Sequence, residues 1–186
     1  MFYLRSVACS VWFRLHGFEN SLVACDGRLP AIDGRGKVRI GKRFVIRGQV
    51  ARCEIAAKAN SQILIGDRVF FNQGVVIGAV ESIEIGDDTL IGDFSAIYDS
   101  NYHDLEPGHP DKPRPVTIGK NVWLGSGVLV LPGSEIGDHT VVAARSVVRS
   151  SLPSGVLAAG NPAVVVRQLD LDDMPAGWRR GGDAHG

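Results

Sequence analysis

The chain has 186 residues, 45% of them hydrophobic, with 20 basic and 20 acidic side chains and a formal net charge of zero. That length holds one ordinary core and is short for two, and a balanced charge offers no basic field to gather nucleic acid. No apolar run approaches the ~20 residues of a membrane span, and the three cysteines, Cys9, Cys25 and Cys53, lack C-x-x-C pairing and read as reduced thiols of a cytosolic protein.

The first sixteen residues place Leu4, Ala8, Val11 and Leu15 at helical spacing, with Arg5 and Arg14 turned elsewhere. This predicts a short helix docked over an open end of the fold, with no membrane contact expected. Arginine interrupts the apolar stretch and no A-x-A site follows, so a cleaved signal peptide is not expected either.

From Ile40 a six-residue beat begins: Ile40-Gly, Ile46-Arg, then an irregular stretch from Ala56 to Asn60. It resumes at Ile65-Gly, Phe71-Asn and Ile77-Gly, slips by two residues near Glu81, and returns at Ile85-Gly, Ile91-Gly and Ile97-Tyr. Residues 98–115 break the beat with four prolines and two histidines. Proline cannot donate to a sheet ladder, so this segment leaves the repeat as a loop, and long loops in compact repeats are more often functional than idle. The beat is unbroken from Ile118 to Pro153, with an aliphatic residue opening each block and a small residue often following it. LAAGNPAVVVRQL then closes the repeats before a polar, Gly-rich tail.

A period of six fits neither a helix nor a lone strand for long, so the chain is read as a repeat architecture. It runs straight, turns and runs straight again, with one aliphatic side chain per block pointing inward. Gly, Asn and Asp supply the positive φ that tight corners need. A coiled repeat filled by its own side chains has no interior pocket, so a site must be built on its outer surface, walled by a loop or by another subunit. His103 lies on the loop that could form such a wall, and histidine can take a proton near neutral pH. Taken alone, Trp123 could equally pack on a neighbouring coil, Ser126 and Ala144 suit any tight corner, and Asn72 could be a turn residue with positive φ.

The ordered set Asp99-Ser-Asn-Tyr-His103-Asp-Leu, Pro115-Val-x-Ile-Gly-x-x-Val-Trp123-Leu-Gly-Ser126, Ile136-Gly and Gly160-Asn-Pro-Ala163 resembles the hexapeptide-repeat O-acetyltransferases of the maltose, galactoside and polysaccharide group. The resemblance covers roughly residues 60–168. It implies an all-β fold, a left-handed parallel β-helix with an extended loop near 98–116 and short terminal helical caps, in which three blocks make one coil and Ile118 lies under Ile136, Leu124 under Val142 and Ser126 under Ala144. The domains expected are an N-terminal cap over 1–39 (a short helix and an irregular first coil), an acyltransferase β-helix over 40–163, and a C-terminal cap with a mobile tail over 164–186.

The resemblance also implies a function. Acetyl-CoA is the co-substrate, no cofactor is bound permanently, no metal is required, and a cytoplasmic homotrimer carries its sites between subunits. His103 falls on the family's general base, Trp123 on the residue near the thioester and pantetheine arm, and Ser126 on the residue facing the reacting carbonyl. Ala144 falls on a backbone contact to the pantetheine. Asn72 falls on the acceptor-binding residue once one extra residue is allowed, and Asp99 is assigned to the acceptor as well. Arg149 stands near the cation that meets the CoA phosphates, but in an altered order, Arg149-Ser-Ser-Leu-Pro. Arg145 departs from a position where Gly is common.

The expected reaction is direct acetyl transfer to a hydroxyl of a sugar or polysaccharide precursor. The alternatives are acetylation of a drug-like hydroxyl and a non-catalytic trimeric scaffold. A zinc lyase on the same prism would need three converging histidines on the coils, a trio this sequence lacks.

Overall fold

Strands of two to six residues alternate with corners from Glu19 to Gln168 after one N-terminal helix. In the computed structural model, residues 2–20, 22–104, 106–108, 110 and 112–171 are described. The chain visits three sheets in turn, of six, eight and six strands, and neighbours in each sheet are parallel except for the last pair. Each circuit of three strands is one coil, and the coils stack into a parallel β-helix of about six turns.

The core is three vertical ladders of the aliphatic openers. Ile40, Ile65, Ile85, Ile118 and Ile136 stack in the first sheet. Ile46, Phe71, Ile91, Leu124 and Val142 stack in the second, and Ile55, Ile77, Ile97, Val130 and Val148 in the third. All fifteen are buried, each contributing roughly 1.5–3 kcal/mol of transfer free energy. Ile118 lies under Ile136 and Leu124 under Val142, as a coil of three six-residue blocks requires and the family resemblance implies.

Corners fall three residues after each opener. Between the first and second sheets, the first edge carries Arg43, Arg68, Asp88, Asn121 and His139 at left-handed φ. Between the second and third, the second edge carries Gly74, Phe94, Gly127 and Arg145 at left-handed φ, and the third edge includes Asn60 and Gly133. Gly, Asn and Asp were expected at such positions, yet three are arginines, one is histidine and one is phenylalanine. On the first edge cross-coil pairs hold these side chains: Arg68 Nε and Nη2 donate to Asp88 Oδ1 and Oδ2 at 2.7 and 2.9 Å, and Asn121 Nδ2 meets His139 Nδ1 at 3.0 Å.

The slip near Glu81 has a specific partner. Asp99 is fully buried, and its carboxylate accepts the backbone N–H groups of Val80, Glu81 and Ser82 at 2.8, 2.8 and 2.7 Å. The extra residues therefore bulge without leaving unpaired donors.

Coiling starts at Glu19, well before the beat is legible at Ile40. The helix Phe2–Leu15 covers the open end, but by a different face from the one expected. Ser6, Cys9, Ser10 and Phe13 are buried, whereas Val11 and Leu15 are 50% and 79% exposed and Ala8 is exposed too. The side chain of Leu4 lies outside the described residues. The end strand decides which face docks: Ser10 Oγ accepts the Val23 N–H at 2.8 Å, and Phe13 stacks on Phe18 at 5.3 Å. An all-aliphatic face could not accept that N–H. Cys9 and Cys25, expected as separate thiols, are joined as a disulfide between the helix and the first coil, while Cys53 is free and buried.

At the other end, Val156–Gly160 and Ala163–Gln168 form an antiparallel hairpin that extends the second sheet. The C-terminal cap is thus a hairpin rather than a helix over the described residues, and the expected boundary at 163/164 falls inside its second strand. The tail expected to be mobile lies, from residue 172 on, outside the described residues.

Candidate active site

Four coils contribute to the second edge: Asn72-Gln73-Gly74, Gly92-Asp93-Phe94, Gly125-Ser126-Gly127 and Ala143-Ala144-Arg145. The strand registers fix this alignment: Asp93, Ser126 and Ala144 fall on one line, and Asn72 stands on the same edge, level with Gly92 and Gly125. Trp123 stands beside them on the second sheet, between Leu90 and Val141, pointing outward and 47% exposed.

The backbone of this edge is unusual in what it leaves open. The third corner residue donates in the regular way, Phe94 N–H to Gln73 O, Gly127 N–H to Asp93 O and Arg145 N–H to Ser126 O, at 2.8, 2.7 and 2.9 Å. Among the described residues, no hydrogen bond engages the N–H of Asp93, Ser126 or Ala144. On the first edge three of the equivalent N–H groups are capped by the next coil, Lys42 by Asp67, Asp67 by Asp87 and Lys120 by Asp138, at 2.7, 2.8 and 2.7 Å, while that of Asp87, which faces Lys120, is not. The second edge has no such cap because its next-coil residues are Ser126 and Ala144. The Ser126 hydroxyl donates to Asp93 Oδ2 at 3.3 Å, which leaves its own N–H free.

These unclaimed donors are spaced one coil apart, roughly 4.8 Å, along an exposed line. They suit an extended ligand with oxygen acceptors. Gly125 keeps the line tight: a Cβ there would stand 2.6 Å from Ala144 N.

Asn72 is half-buried, and its φ is not positive. Its Oδ1 accepts the Gln73 N–H at 3.0 Å, and its carbonyl accepts the Cys53 thiol at 3.1 Å. Burial pushes the Cys53 thiol above its ordinary pKa, so it is a packing group and not a nucleophile.

His103 belongs to the excursion, which leaves from the third edge. The Arg114 N–H donates to Asp99 O at 2.7 Å and closes the neck. The Tyr102 N–H donates to Ser100 Oγ at 2.9 Å, and the Tyr102 ring packs edge-on against Tyr98 at 5.9 Å. Its hydroxyl occupies the place where a Cβ on Gly78 would stand. Burial, then the nearby Asp99 charge, pushes the Tyr102 phenol up to about 12. With Tyr102 held against the third sheet, His103 follows it exposed to solvent.

Two expectations do not converge here. Asp99 cannot meet an acceptor, because its carboxylate is buried and accepts three N–H groups. Arg149 is exposed at the far end of the third sheet, off the line of Ser126 and Ala144. Asp93 shares that line, Phe94 and Arg145 stand one place further along the same edge, and none of the three was among the expected site residues. The signal for Phe94 was a bulky residue where a corner asks for glycine.

His103 is not beside Ser126 within one chain. Tyr98 lies one place past Ile97, which pairs with Val130, so its column stands five residues beyond Ser126. At ~3.3 Å per residue the loop root and Ser126 are roughly 16 Å apart across the third sheet. An open recess of 670 Å³ lies at the third edge among Arg35, Lys37, Asn60, Glu81 and Thr117, and none of the expected site residues lines it. His139 is paired with Asn121 on the first edge, and His109 lies outside the described residues. Among the described residues no three His, Cys, Asp or Glu side chains gather as a metal would require. No described helix is long and apolar enough to cross a membrane.

The family described as bacterial transferase hexapeptide (six repeats) matches residues 115–150. An Escherichia coli K12 protein, assigned by name to lipopolysaccharide biosynthesis as the O-acetyl transferase WbbJ, is 37% identical over 156 residues, covering 77% of this chain and 78% of that protein. The galactoside O-acetyltransferase of the same organism is 36% identical over 116 residues, 61% of this chain and 57% of the enzyme, so this chain matches little more than half of that relative. The hexapeptide-repeat acetyltransferase VCA0836 of Vibrio cholerae, solved in complex with acetyl coenzyme A, superposes with a TM-score of 0.59 at 25% identity over 87% of this chain and 75% of that one.

Proposed function

Because the chain belongs to the hexapeptide-repeat acetyltransferase family, we propose that it transfers an acetyl group from acetyl-CoA to a hydroxyl of a sugar or polysaccharide precursor. The observation that carries this reading is the open line of N–H donors at Ser126 and Ala144, beside the exposed Trp123. The saccharide acceptor is supported by the names of the lipopolysaccharide and galactoside relatives.

In this reading His103 removes the acceptor proton as the hydroxyl oxygen attacks the thioester carbonyl carbon. The Ser126 N–H meets the oxyanion, a contact worth ~3 kcal/mol in comparable sites. Collapse of the tetrahedral intermediate breaks the carbon–sulfur bond, and the CoA thiolate takes the proton back from His103. The thioester and pantetheine arm lie against Trp123 and the Ala144 N–H, with Asn72 toward the acceptor. No acyl-enzyme is formed, since the one free described thiol, Cys53, is buried.

The distance across the third sheet gives the assembly a reason. The loop of one chain supplies His103 to the second edge of a neighbour, and a homotrimer closes this arrangement with three equal sites. Acetyl-CoA as co-substrate supports a cytoplasmic location. The Cys9–Cys25 link opposes the reduced state usual there, and thiol titration of the purified protein decides between the two states.

The test is release of CoA thiol from acetyl-CoA in wild type and His103→Ala, with maltose, galactosides, sugar nucleotides and chloramphenicol as acceptors. A saccharide should stimulate release, and the variant should lose about 100-fold or more in kcat while still binding acetyl-CoA. A wild type that binds no acetyl-CoA would sink the reading and leave a scaffold. Stimulation by chloramphenicol alone would move the acceptor to the drug-like class.

A further inference from the structure

Phe94 is the one bulky aromatic at a left-handed corner of the described coils; Tyr102, also at left-handed φ, stands on the excursion. The φ of Phe94 is 55°, and it stands between Gly74 and Gly127, whose φ values are 66° and 68°. A phenylalanine held at such a φ is strained, and such strain persists where the surroundings or a function require it. Fold packing gives little reason for it here, since Phe94 is 63% exposed. Its ring lies across Gly74, where a Cβ would stand 2.5 Å from its Cδ1 and 2.7 Å from its Cε1. One face is therefore backed by the glycine and the chain turn, and the ring remains largely open to solvent.

The surroundings identify what that ring suits. Phe94 follows Asp93, the partner of the Ser126 hydroxyl, and Gly74 lies two residues after Asn72. With the acetyl donor running from Ser126 toward Ala144, the attacking hydroxyl approaches from the opposite, Asn72 side. We infer that Phe94 is an acceptor-binding residue that stacks on the apolar C–H face of a pyranose ring, with Asp93 and Asn72 at hand for its hydroxyls. This inference rests on the acetyltransferase reading for its direction along the edge. An aromatic plane edged by a carboxylate and an amide complements a sugar, which has one apolar face and a hydroxyl rim. A flat drug-like acceptor would need no such rim.

The test measures sugar and donor binding separately on the full-length chain. Saturation-transfer NMR with methyl α-D-glucopyranoside and methyl β-D-galactopyranoside is run on wild type, Phe94→Tyr, Phe94→Ala and Phe94→Gly. Acetyl-CoA affinity, Tm and assembly mass are measured on the same samples. Saturation of ring C–H protons by wild type and Phe94→Tyr is expected, with roughly tenfold weaker binding in Phe94→Ala and acetyl-CoA affinity unchanged in all four. Phe94→Gly should melt no lower than wild type, because glycine relieves the left-handed strain. Equal pyranoside binding by Phe94→Ala overturns the inference, and so does a wild type that binds neither pyranoside. A lowered Tm or reduced assembly mass in Phe94→Gly also overturns it, by showing that the ring packs within the fold or between subunits. Acetyl-CoA binding by wild type in those failures keeps the acetyltransferase reading standing, and its absence removes that reading too.

Discussion

The first and second edges of the prism share one backbone plan and differ in who completes it. On the first edge, aspartates of the next coil cap the corner N–H groups of Lys42, Asp67 and Lys120, and left-handed side chains pair off as Arg68 with Asp88 and Asn121 with His139. On the second edge the N–H groups of Asp93, Ser126 and Ala144 stay open, and the long side chains Phe94 and Arg145 lie over Gly74 and Gly127. A closed edge satisfies itself; an open one holds donors for a ligand. The same corner geometry therefore serves stability on one side and recognition on the other, and the side chain that the next coil sets against each corner decides which.

The sharpest way to break this comparison is to remove one donor from the open edge while keeping its turn. Pro132-Gly133 occupies on the third edge the place that Ser126-Gly127 occupies on the second, with Gly133 at φ 80° and Gly127 at φ 68°. Proline is thus compatible with that corner, and Ser126→Pro deletes both the N–H and the hydroxyl. We expect kcat to fall by about 10²–10³, as for loss of an oxyanion donor, with Tm within about 2 °C of wild type. A variant of normal activity would show that the open N–H is no part of catalysis.

The complementary change opens the closed edge. Asp138→Ala removes the carboxylate that accepts the Lys120 N–H at 2.7 Å. The site is exposed, so water can replace the cap, and the loss should be about 0.5–1 kcal/mol of stability in urea denaturation. Acetyl transfer should not change. A loss of activity with intact stability would mean that the first edge also serves the reaction.

Much of this division is written in the chain. Gly66-Asp67, Gly86-Asp87 and Gly137-Asp138 put a carboxylate after the corner glycine on the first edge, whereas on the second Gly92-Asp93 does so but Gly125-Ser126 and Ala143-Ala144 do not. The aliphatic ladders were legible because one inward residue per block repeats without exception from Ile118 on. What could not be read was long-range. Asp99 lies in the loop motif and looks like a site residue, yet three N–H groups brought close by the slip at Glu81 claim it. The helix Phe2–Leu15 carries two plausible stripes, and only the end strand, with an N–H at Val23 in need of Ser10, selects the less apolar one. Cys9 and Cys25 are sixteen residues apart in sequence and meet only because that face docks.

The loop root offers the smallest effect and a test of how His103 is aimed. The Tyr102 phenol is pushed up to about 12, first by burial against the third sheet and then by the Asp99 charge. A raised phenol favours the neutral form in the folded state. Its contribution to stability is therefore complete below the unfolded value near 10 and is lost as pH rises from there toward 12. Wild type should lose Tm over that window more steeply than Tyr102→Phe, which keeps the ring contact with Tyr98 and has nothing to ionise. Tyr98, also raised by burial, leaves a residual slope in both proteins. If the two melting profiles coincide between pH 10 and 12, the ring is not held on the sheet as described, and the excursion positions His103 by its closed neck at Asp99 and Arg114 alone.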